Sequence, residues 1–228
     1  MKNNPKKVLV IVAHTDDESF GCGGLIRKLS SEKYIVRAIS FTNGVGSRSI
    51  QNKIHIKLRK ENSLKASKIL GFKWLQQFDY PDNEMDTVSM LEIIKKIEKY
   101  KKKFLPDIVI THNFSDLNID HRIVAEATLT AFRPEPNSSC SQIITFEVPS
   151  STDYRILKRS NNFIPNYFVK IDKFLDYKIK AIKAYKKEVK KSPHTRSIEG
   201  IKNLSKIRGN QSGVKYAEAF EIIRKIEK

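Results

Sequence analysis

Several features are scarce in this sequence, and each absence excludes a class of protein. Among 228 residues there are two cysteines, Cys22 and Cys140. That is too few for a disulfide framework or a CxxC metal knuckle, so free thiols are expected. The longest apolar runs, such as Val8 to Ala13, fall far short of the roughly 18–20 residues that a transmembrane helix needs. Nine glycines and eight prolines form no low-complexity tract, which argues against collagen-like repeats, solenoid arrays and disorder. No GxSxG elbow is present, which removes the usual serine hydrolase. Gly21-Cys22-Gly23-Gly24 is not GxGxxG, and the three acids just before it would repel a pyrophosphate, so a dinucleotide-binding oxidoreductase or a methyltransferase is a poor reading. Acidic residues are also few, 25 against 43 Lys and Arg, for a net charge of +18.

That charge is carried largely by lysine-rich helix surfaces, as in Lys95, Lys96, Lys99, Lys101, Lys102 and Lys103, or Lys186, Lys187, Lys190 and Lys191. No helix-turn-helix signature, zinc-finger spacing or RNA-binding aromatic motif accompanies it, so nucleic acid is not the expected partner. The charge favours a phosphate-bearing substrate or contact with an anionic membrane surface. Lys2, Lys6 and Lys7 precede an apolar stretch that stops at His14, Asp16, Asp17 and Glu18. This is a first buried strand and not a signal peptide, and a cytoplasmic location is expected.

With 39% hydrophobic residues the chain can bury a substantial core, and its length suits one domain over residues 1–228. Val8 to Ala13 and Ile35 to Thr42 read as strands, separated by a short helical pattern over Cys22 to Ser31. A helix follows from about Ile50 to Leu70, with Ile54, Leu58, Leu64 and Ile69 at helical spacing and Gly71 as its stop. Asp79 to Asn83 reads as a loop, Met90 to Lys103 as a helix ended before Pro106, Ile108 to Ile110 as a strand and Ile119 to Phe132 as a helix. After a strand over Ile143 to Val148 the pattern predicts a basic helix from about Asp172 to Lys190 and a final helix near Tyr216 to Ile226. Strands alternating with helices imply a Rossmann-like α/β fold: a mostly parallel sheet with helices on both faces, and a covering segment from about residue 150. Functional groups are then expected at the carboxyl ends of strands.

Two dense polar clusters stand at such positions. The first strand runs directly into His14-Thr15-Asp16-Asp17-Glu18, where three carboxylates beside one imidazole repel each other unless a cation or proton relieves them. His14 and Asp17 can converge on a divalent ion, leaving Asp16 free beside it. The later strand leads into His112-Asn113-Phe114-Ser115-Asp116-Leu117-Asn118-Ile119-Asp120-His121, which can supply a third ligand. Two imidazoles and one carboxylate suit zinc with an open position for water. Alone, either fragment fits a structural histidine or a helix amino terminus; their joint placement at two strand ends points to a metal.

These residues resemble the LmbE-like, or PIG-L, family of zinc-dependent N-deacetylases. The family's Ala-His-Pro-Asp-Asp-Glu appears here as Ala13-His14-Thr15-Asp16-Asp17-Glu18, with Thr15 in the place of Pro. Its later His-Pro-Asp-His appears as Asn118-Ile119-Asp120-His121, with Asn118 in the place of the first His. The resemblance to the family extends to Pro81-Asp82-Asn83, and Phe146 to Thr152 and Arg208-Gly209 with Tyr216 to Phe220 resemble a bacterial branch linked to sugar and surface-glycan metabolism. The resemblance implies zinc, or another divalent ion such as Fe2+, on His14, Asp17 and His121. It makes Asp16 the general base, Asp120 a group that orients a neighbouring histidine, and Arg59, Asp82 and Arg208 substrate contacts. Where the family places a histidine to stabilise the oxyanion, Asn118 can donate a hydrogen bond but no proton, so either catalysis relies more on zinc or another group such as His194 or His112 assists. The implied reaction is removal of an N-acetyl group from an amino sugar, free, nucleotide-activated or lipid-linked. The competing expectation is a basic binding module on the same fold that has lost activity, and self-association is left open.

Overall fold

The computed structural model describes residues 4–46, 53–155 and 162–227. Strand β1 (Lys7–His14) lies inside the sheet, and its Val8 to Ala13 are fully buried. It pairs in parallel with β2 (Ile35–Thr42) on one side and β4 (Ile108–His112) on the other. Beyond them lie β3 (Lys73–Tyr80) and β5 (Gln142–Phe146), both parallel to their neighbours. Two late strands, β6 (Tyr167–Lys170) and β7 (Ala217–Lys225), complete a seven-stranded sheet of order β3-β2-β1-β4-β5-β7-β6, with β7 antiparallel to both β5 and β6.

Alternate residues of β1 feed two cores. Val8, Val10 and Val12 pack with α1 (Asp17–Ser31), α2 (Lys53–Leu70), α5 (Leu175–Ala184) and α6 (Ile198–Gln211) on one face. Leu9, Ile11 and Ala13 pack with α3 (Met90–Phe104) and α4 (Ile119–Ala131) on the other. Burial on both faces is why the strand is continuously apolar instead of alternating. The fold is therefore the expected α/β arrangement. The chain runs outward from β1 to β3 and then crosses back to β4, so a crevice opens between the carboxyl ends of β1 and β4, where open α/β sheets hold their ligands.

Several elements differ from the sequence expectation. The segment expected as a final helix near Tyr216 to Ile226 is strand β7. Its Ala and Glu residues favour a helix locally, but the slot between β5 and β6 and the burial of Ala217, Ala219 and Phe220 decide the outcome. The basic helix expected over Asp172 to Lys190 is shorter, Leu175–Ala184, and helix α6 and strands β3 and β6 were not anticipated. Asp79 and Tyr80, expected in a loop, end β3. The proposed start of the second helix at Ile50 lies outside the described residues. That helix also faces the other way: Ile54 is 69% exposed, whereas Arg59, Ser63, Ala66 and Ser67 are buried. Its inward face sends Arg59 to Asp16 and puts Ser63 against Gln77, while Ala66 and Leu70 join the core.

Helix α1 starts at Asp17 and is kinked at Cys22, where φ is −137°. The N–H groups of Gly24 and Leu25, just past the kink, donate to Glu218 Oε1 (2.8 Å) and Oε2 (2.7 Å). Glu218 reaches there from β7 and caps the second part of the helix. Its charge is balanced by Lys178 Nζ of α5 at 2.7 Å, and both side chains are buried. The pair thus lets α1 break, so that its first turn, bearing Asp17 and Glu18, is aimed separately from the rest. Lys178→Met leaves the buried carboxylate without its cation and is expected to lower the unfolding free energy by about 3 kcal/mol, with Lys178→Met/Glu218→Gln recovering most of the loss. Urea denaturation of the two variants measures both.

Candidate metal centre

The site begins with a strained turn. Asp16, between β1 and α1, has φ 156° and ψ −26°, a conformation that costs a non-glycine residue about 1–3 kcal/mol. Its N–H donates to Glu18 Oε2 at 2.9 Å, and its carbonyl accepts from the N–H groups of Ser19 and Phe20. Glu18 also accepts from the hydroxyls of Ser19 and Tyr185, each at 2.8 Å. Burial pushes the Glu18 carboxyl up to about 7. The turn sends the carboxylates of Asp16 and Asp17 into different surroundings.

Asp17 Oδ2 lies 3.2 Å from His14 Nδ1 and 3.3 Å from His121 Nε2, and those two nitrogens are 3.1 Å apart. Ligands of a tetrahedral ion at roughly 2.0–2.1 Å are separated by about 3.3 Å. The three atoms therefore have the spacing of three corners of such a site, and all three residues are buried. Asp17 Oδ1 is buried with no hydrogen-bond partner among the described residues.

The far nitrogen of each histidine is backed by a carboxylate. His14 Nε2 lies 3.0 Å from Asp120 Oδ2 and 3.1 Å from Asp82 Oδ1, and His121 Nδ1 lies 3.1 Å from Asp116 Oδ2. Such partners hold the proton on the far nitrogen and leave the near lone pair free for a cation. Asp120 is itself fixed by the N–H groups of Asn83 (2.7 Å) and Met85 (3.1 Å). His14, Asp82 and Asp120 form a second group of closely spaced donor atoms. It shares His14 through its other nitrogen, and its geometry is that of an N–H facing two carboxylates.

The charges follow from this arrangement. Burial opposes a charged His14, yet the Asp17 charge and the bonds to Asp120, Asp17 and Asp82 hold its pKa well above the usual value. Burial likewise opposes a charged His121, but Asp17 and Asp116 raise it to about 9. Burial would raise Asp17, and the three surrounding histidines outweigh it and hold the carboxyl well below the usual range. His112 goes the other way, lowered to about 4 by burial and by His121. Its Nε2 accepts the Ala13 N–H at 2.9 Å, and its ring stacks on His121 with centroids 4.0 Å apart. His112 is thus a neutral wall behind the cluster.

Asp16 is held by two arginines. Arg59 Nη2 lies 2.8 Å from Asp16 Oδ1, its Nη1 2.9 Å from Glu188, and its Nε donates to Thr15 Oγ1 at 3.0 Å. The Tyr185 ring lies 5.1 Å from the same guanidinium. Arg196 Nη1 lies 3.5 Å from Asp16 Oδ2, and its Nε donates to the Pro149 carbonyl at 3.1 Å. Burial raises the Asp16 carboxyl above the usual range while the two arginines pull against it.

A cavity of about 150 Å3 joins these groups, with His14, Asp16, Asp17, Asp82, His121 and Arg196 in its wall. Arg59 and Asn118 also reach it. Asn118 is the N-cap of α4: its Oδ1 accepts from the N–H groups of Asp120 and His121, and its Nδ2 donates to Asn83 at 2.7 Å. Two residues singled out in the sequence lie elsewhere. Arg208 makes a two-pronged ion pair with Glu147, at 2.8 and 2.6 Å, beside a separate small cleft. The Nδ1 of His194 accepts the Arg196 N–H, and its ring meets Tyr154. Sequence reasoning missed Arg196, Glu188 and Tyr185, which lie within or next to segments read only as a basic helix and a loop. Of Pro193-His194-Thr195-Arg196, the structure places Arg196 in the cavity wall and His194 outside it.

The sequence profile described as "PIG-L: GlcNAc-PI de-N-acetylase" matches residues 9–132, more than half of the chain. The diacetylchitobiose deacetylase of Thermococcus kodakarensis is 27% identical over 97% of this chain and 84% of its own length. The crystal structure of the N,N'-diacetylchitobiose deacetylase from Pyrococcus horikoshii, bound to an inhibitor, is 26% identical and superposes with a TM-score of 0.78 over 97% of this chain and 85% of that one. A 4-carboxy-2-hydroxymuconate hydratase from Pseudomonas putida reaches the same TM-score at 18% identity over 98% of both chains, a likeness of fold alone. The match spans both clusters that build the site, and the chain belongs to the PIG-L, or LmbE-like, family.

Proposed function

We propose that the chain is a metal-dependent amidohydrolase that removes the N-acetyl group of an amino sugar or sugar conjugate, releasing acetate and a free amine. The observation that carries this reading is the division of labour between adjacent carboxylates: Asp17 belongs to the three-atom donor set, and Asp16 faces the same cavity outside it. The family's named deacetylases, two of them acting on diacetylchitobiose, supply the substrate class.

His14, Asp17 and His121 would hold the ion, and their mix of nitrogen and oxygen donors suits zinc, with Fe2+ as the alternative. A bound divalent ion supplies a Lewis acid for the amide carbonyl and lowers the pKa of water toward neutrality. Asp16 takes the proton of the attacking water and returns it to the leaving amine. Arg59, fully engaged by Asp16, Glu188 and Thr15, fixes the direction of the base. Asp120 and Asp116 position the two histidines. Asp82, in the cavity wall, accepts a sugar hydroxyl.

Asn118 caps α4 through Oδ1 and donates from Nδ2 to Asn83, which leaves at most a neutral amide N–H where a developing oxyanion is better met by a charged donor. His112 Nε2 accepts the Ala13 N–H and sits 3.3 Å from Asp17 Oδ2, behind the donor set, and His194 is turned toward Arg196 and Tyr154. We assign the role to Arg196, the cation of the cavity wall with the least committed guanidinium. An arginine stabilises charge without supplying a proton, which leaves proton delivery to Asp16. Neither His194 nor Arg208 receives a direct role. A module that only bound anions would have no use for a base set beside a metal donor set.

Five outcomes are expected. Acetate release from a panel of N-acetylated amino sugars and their conjugates should be found for the metal-loaded protein, and its absence from the whole panel contradicts the reading. Asp16→Asn should lower kcat by about 10²- to 10⁴-fold while about one metal per chain is retained. His14→Ala should lose the metal itself, measured by elemental mass spectrometry. Both donor histidines carry protons in the metal-free state and must lose them, so metal affinity should rise with pH, by about tenfold to hundredfold per unit between roughly pH 6 and 8. A chelator competition series measures it. Arg196→Ala should lower kcat about 10²-fold with little change in KM; a change confined to KM would make Arg196 a substrate-binding group instead.

A further inference from the structure

The loops after β4 and β5 line the cavity with one side, through Asn118, Ser150 and Ser151. Their other side faces solvent and carries a combination that the reaction does not use. Phe114 is 46% exposed, Leu117 52% and Tyr154 49%. Beside them two guanidinium groups converge on one backbone oxygen. Arg122 Nη1 donates to the carbonyl of Asp116 at 2.9 Å and of Leu117 at 2.5 Å; Arg155 Nη1 donates to the same Asp116 oxygen at 2.6 Å and to Phe114 at 3.4 Å.

Neighbouring acids do not neutralise this pair. The Asp116 carboxylate is turned inward to His121, Ser151 and Thr152, and Asp153 accepts the Ser151 N–H. Neither arginine forms an ion pair among the described residues. Burial and the adjacent Arg155 charge push the Arg122 guanidinium down from its usual pKa. The cationic character continues past Tyr154, whose ring meets His194; Lys190 and Lys191 are exposed on that same turn.

We propose that this rim docks on an anionic lipid bilayer, with Phe114, Leu117 and Tyr154 entering the interface and Arg122 and Arg155 meeting lipid phosphates. Exposed aromatic and aliphatic side chains flanked by basic residues are what peripheral attachment requires, since apolar insertion and attraction to anionic headgroups add. Arginine suits the second part because its fork matches phosphate oxygens. A second copy of the chain is a poorer occupant: a two-fold contact would bring the same patch, with its uncompensated cations, against itself. Docking in this orientation places the cavity mouth near the membrane, but does not depend on the reaction proposed above.

The test is co-sedimentation of the full chain with vesicles of equal parts phosphatidylglycerol and phosphatidylcholine, and of phosphatidylcholine alone, at about 0.1 M salt. Binding is expected to the anionic vesicles, weakened about tenfold or more by Phe114→Ser/Leu117→Ser. Lys95→Glu/Lys99→Glu, which reverses exposed charges on α3, should change it less than about threefold. Circular dichroism and metal content of the variants should match wild type. The proposal is overturned if the apolar substitutions leave vesicle binding intact, because binding is then diffuse attraction of the net charge. It is equally overturned if no vesicles are bound, including the case in which sedimentation velocity shows the same substitutions dissolving a dimer, or RNA proves to be the ligand that the patch retains.

Discussion

Three consecutive buried carboxylates, Asp16, Asp17 and Glu18, at most 2% exposed, set the terms for the rest of the molecule. Carboxylates this close and this dry cannot all stay charged without compensation, since burial and mutual repulsion act in the same direction. Each is relieved differently. Asp17 faces the imidazoles of His14, His112 and His121 and the position of an ion. Asp16 is held by Arg59 and Arg196. Glu18, given hydroxyls and one N–H in place of a cation, has its carboxyl moved up to about 7. The turn that separates them is strained at Asp16, and the Glu18 carboxylate is what ties that backbone down.

Much of the surrounding architecture serves these requirements. Helix α2 turns Arg59 inward, where it reaches Asp16. The chain beyond residue 150 supplies Tyr185, Glu188 and Arg196, so the part of the sequence with the weakest pattern encloses the part with the strongest. The two departures from the family motifs fit the same frame. Thr15 has no fixed proline ring, but its hydroxyl receives Arg59 Nε. Asn118 gives up a histidine but caps α4, which carries His121. That a hydratase shares this fold is a reminder that chemistry resides in the site residues and not in the sheet.

What could be read in the sequence depended on how local each signal was. Strands β1, β2 and β4 were legible because burial on both faces leaves continuous apolar runs. The two site clusters were legible because each motif is carried by a few adjacent residues, Ala13 to Glu18 and Asn118 to His121. Strand β7 was not, because its local preference is helical and its neighbours lie far away in the chain. The partners of Asp16 were not, because Arg59 and Arg196 are separated by more than half the chain and each looks like one more basic residue in a protein of net charge +18. The face of α2 was misjudged because Ile54, Leu58 and Leu64 are on the outside while Arg59 and Ser63 are inside, against the rule that usually orients a surface helix.

The central claim is that His14 Nδ1, Asp17 Oδ2 and His121 Nε2 share one ion while His14 Nε2 remains a hydrogen-bond donor to Asp120 and Asp82. Anomalous diffraction at the zinc edge from zinc-loaded crystals tests it most directly. The account predicts a single peak roughly 2.0–2.1 Å from those three atoms, with His14 Nε2 keeping its carboxylate partners. A peak instead between His14 Nε2, Asp82 and Asp120, or no bound ion at either group under saturating zinc, would contradict it.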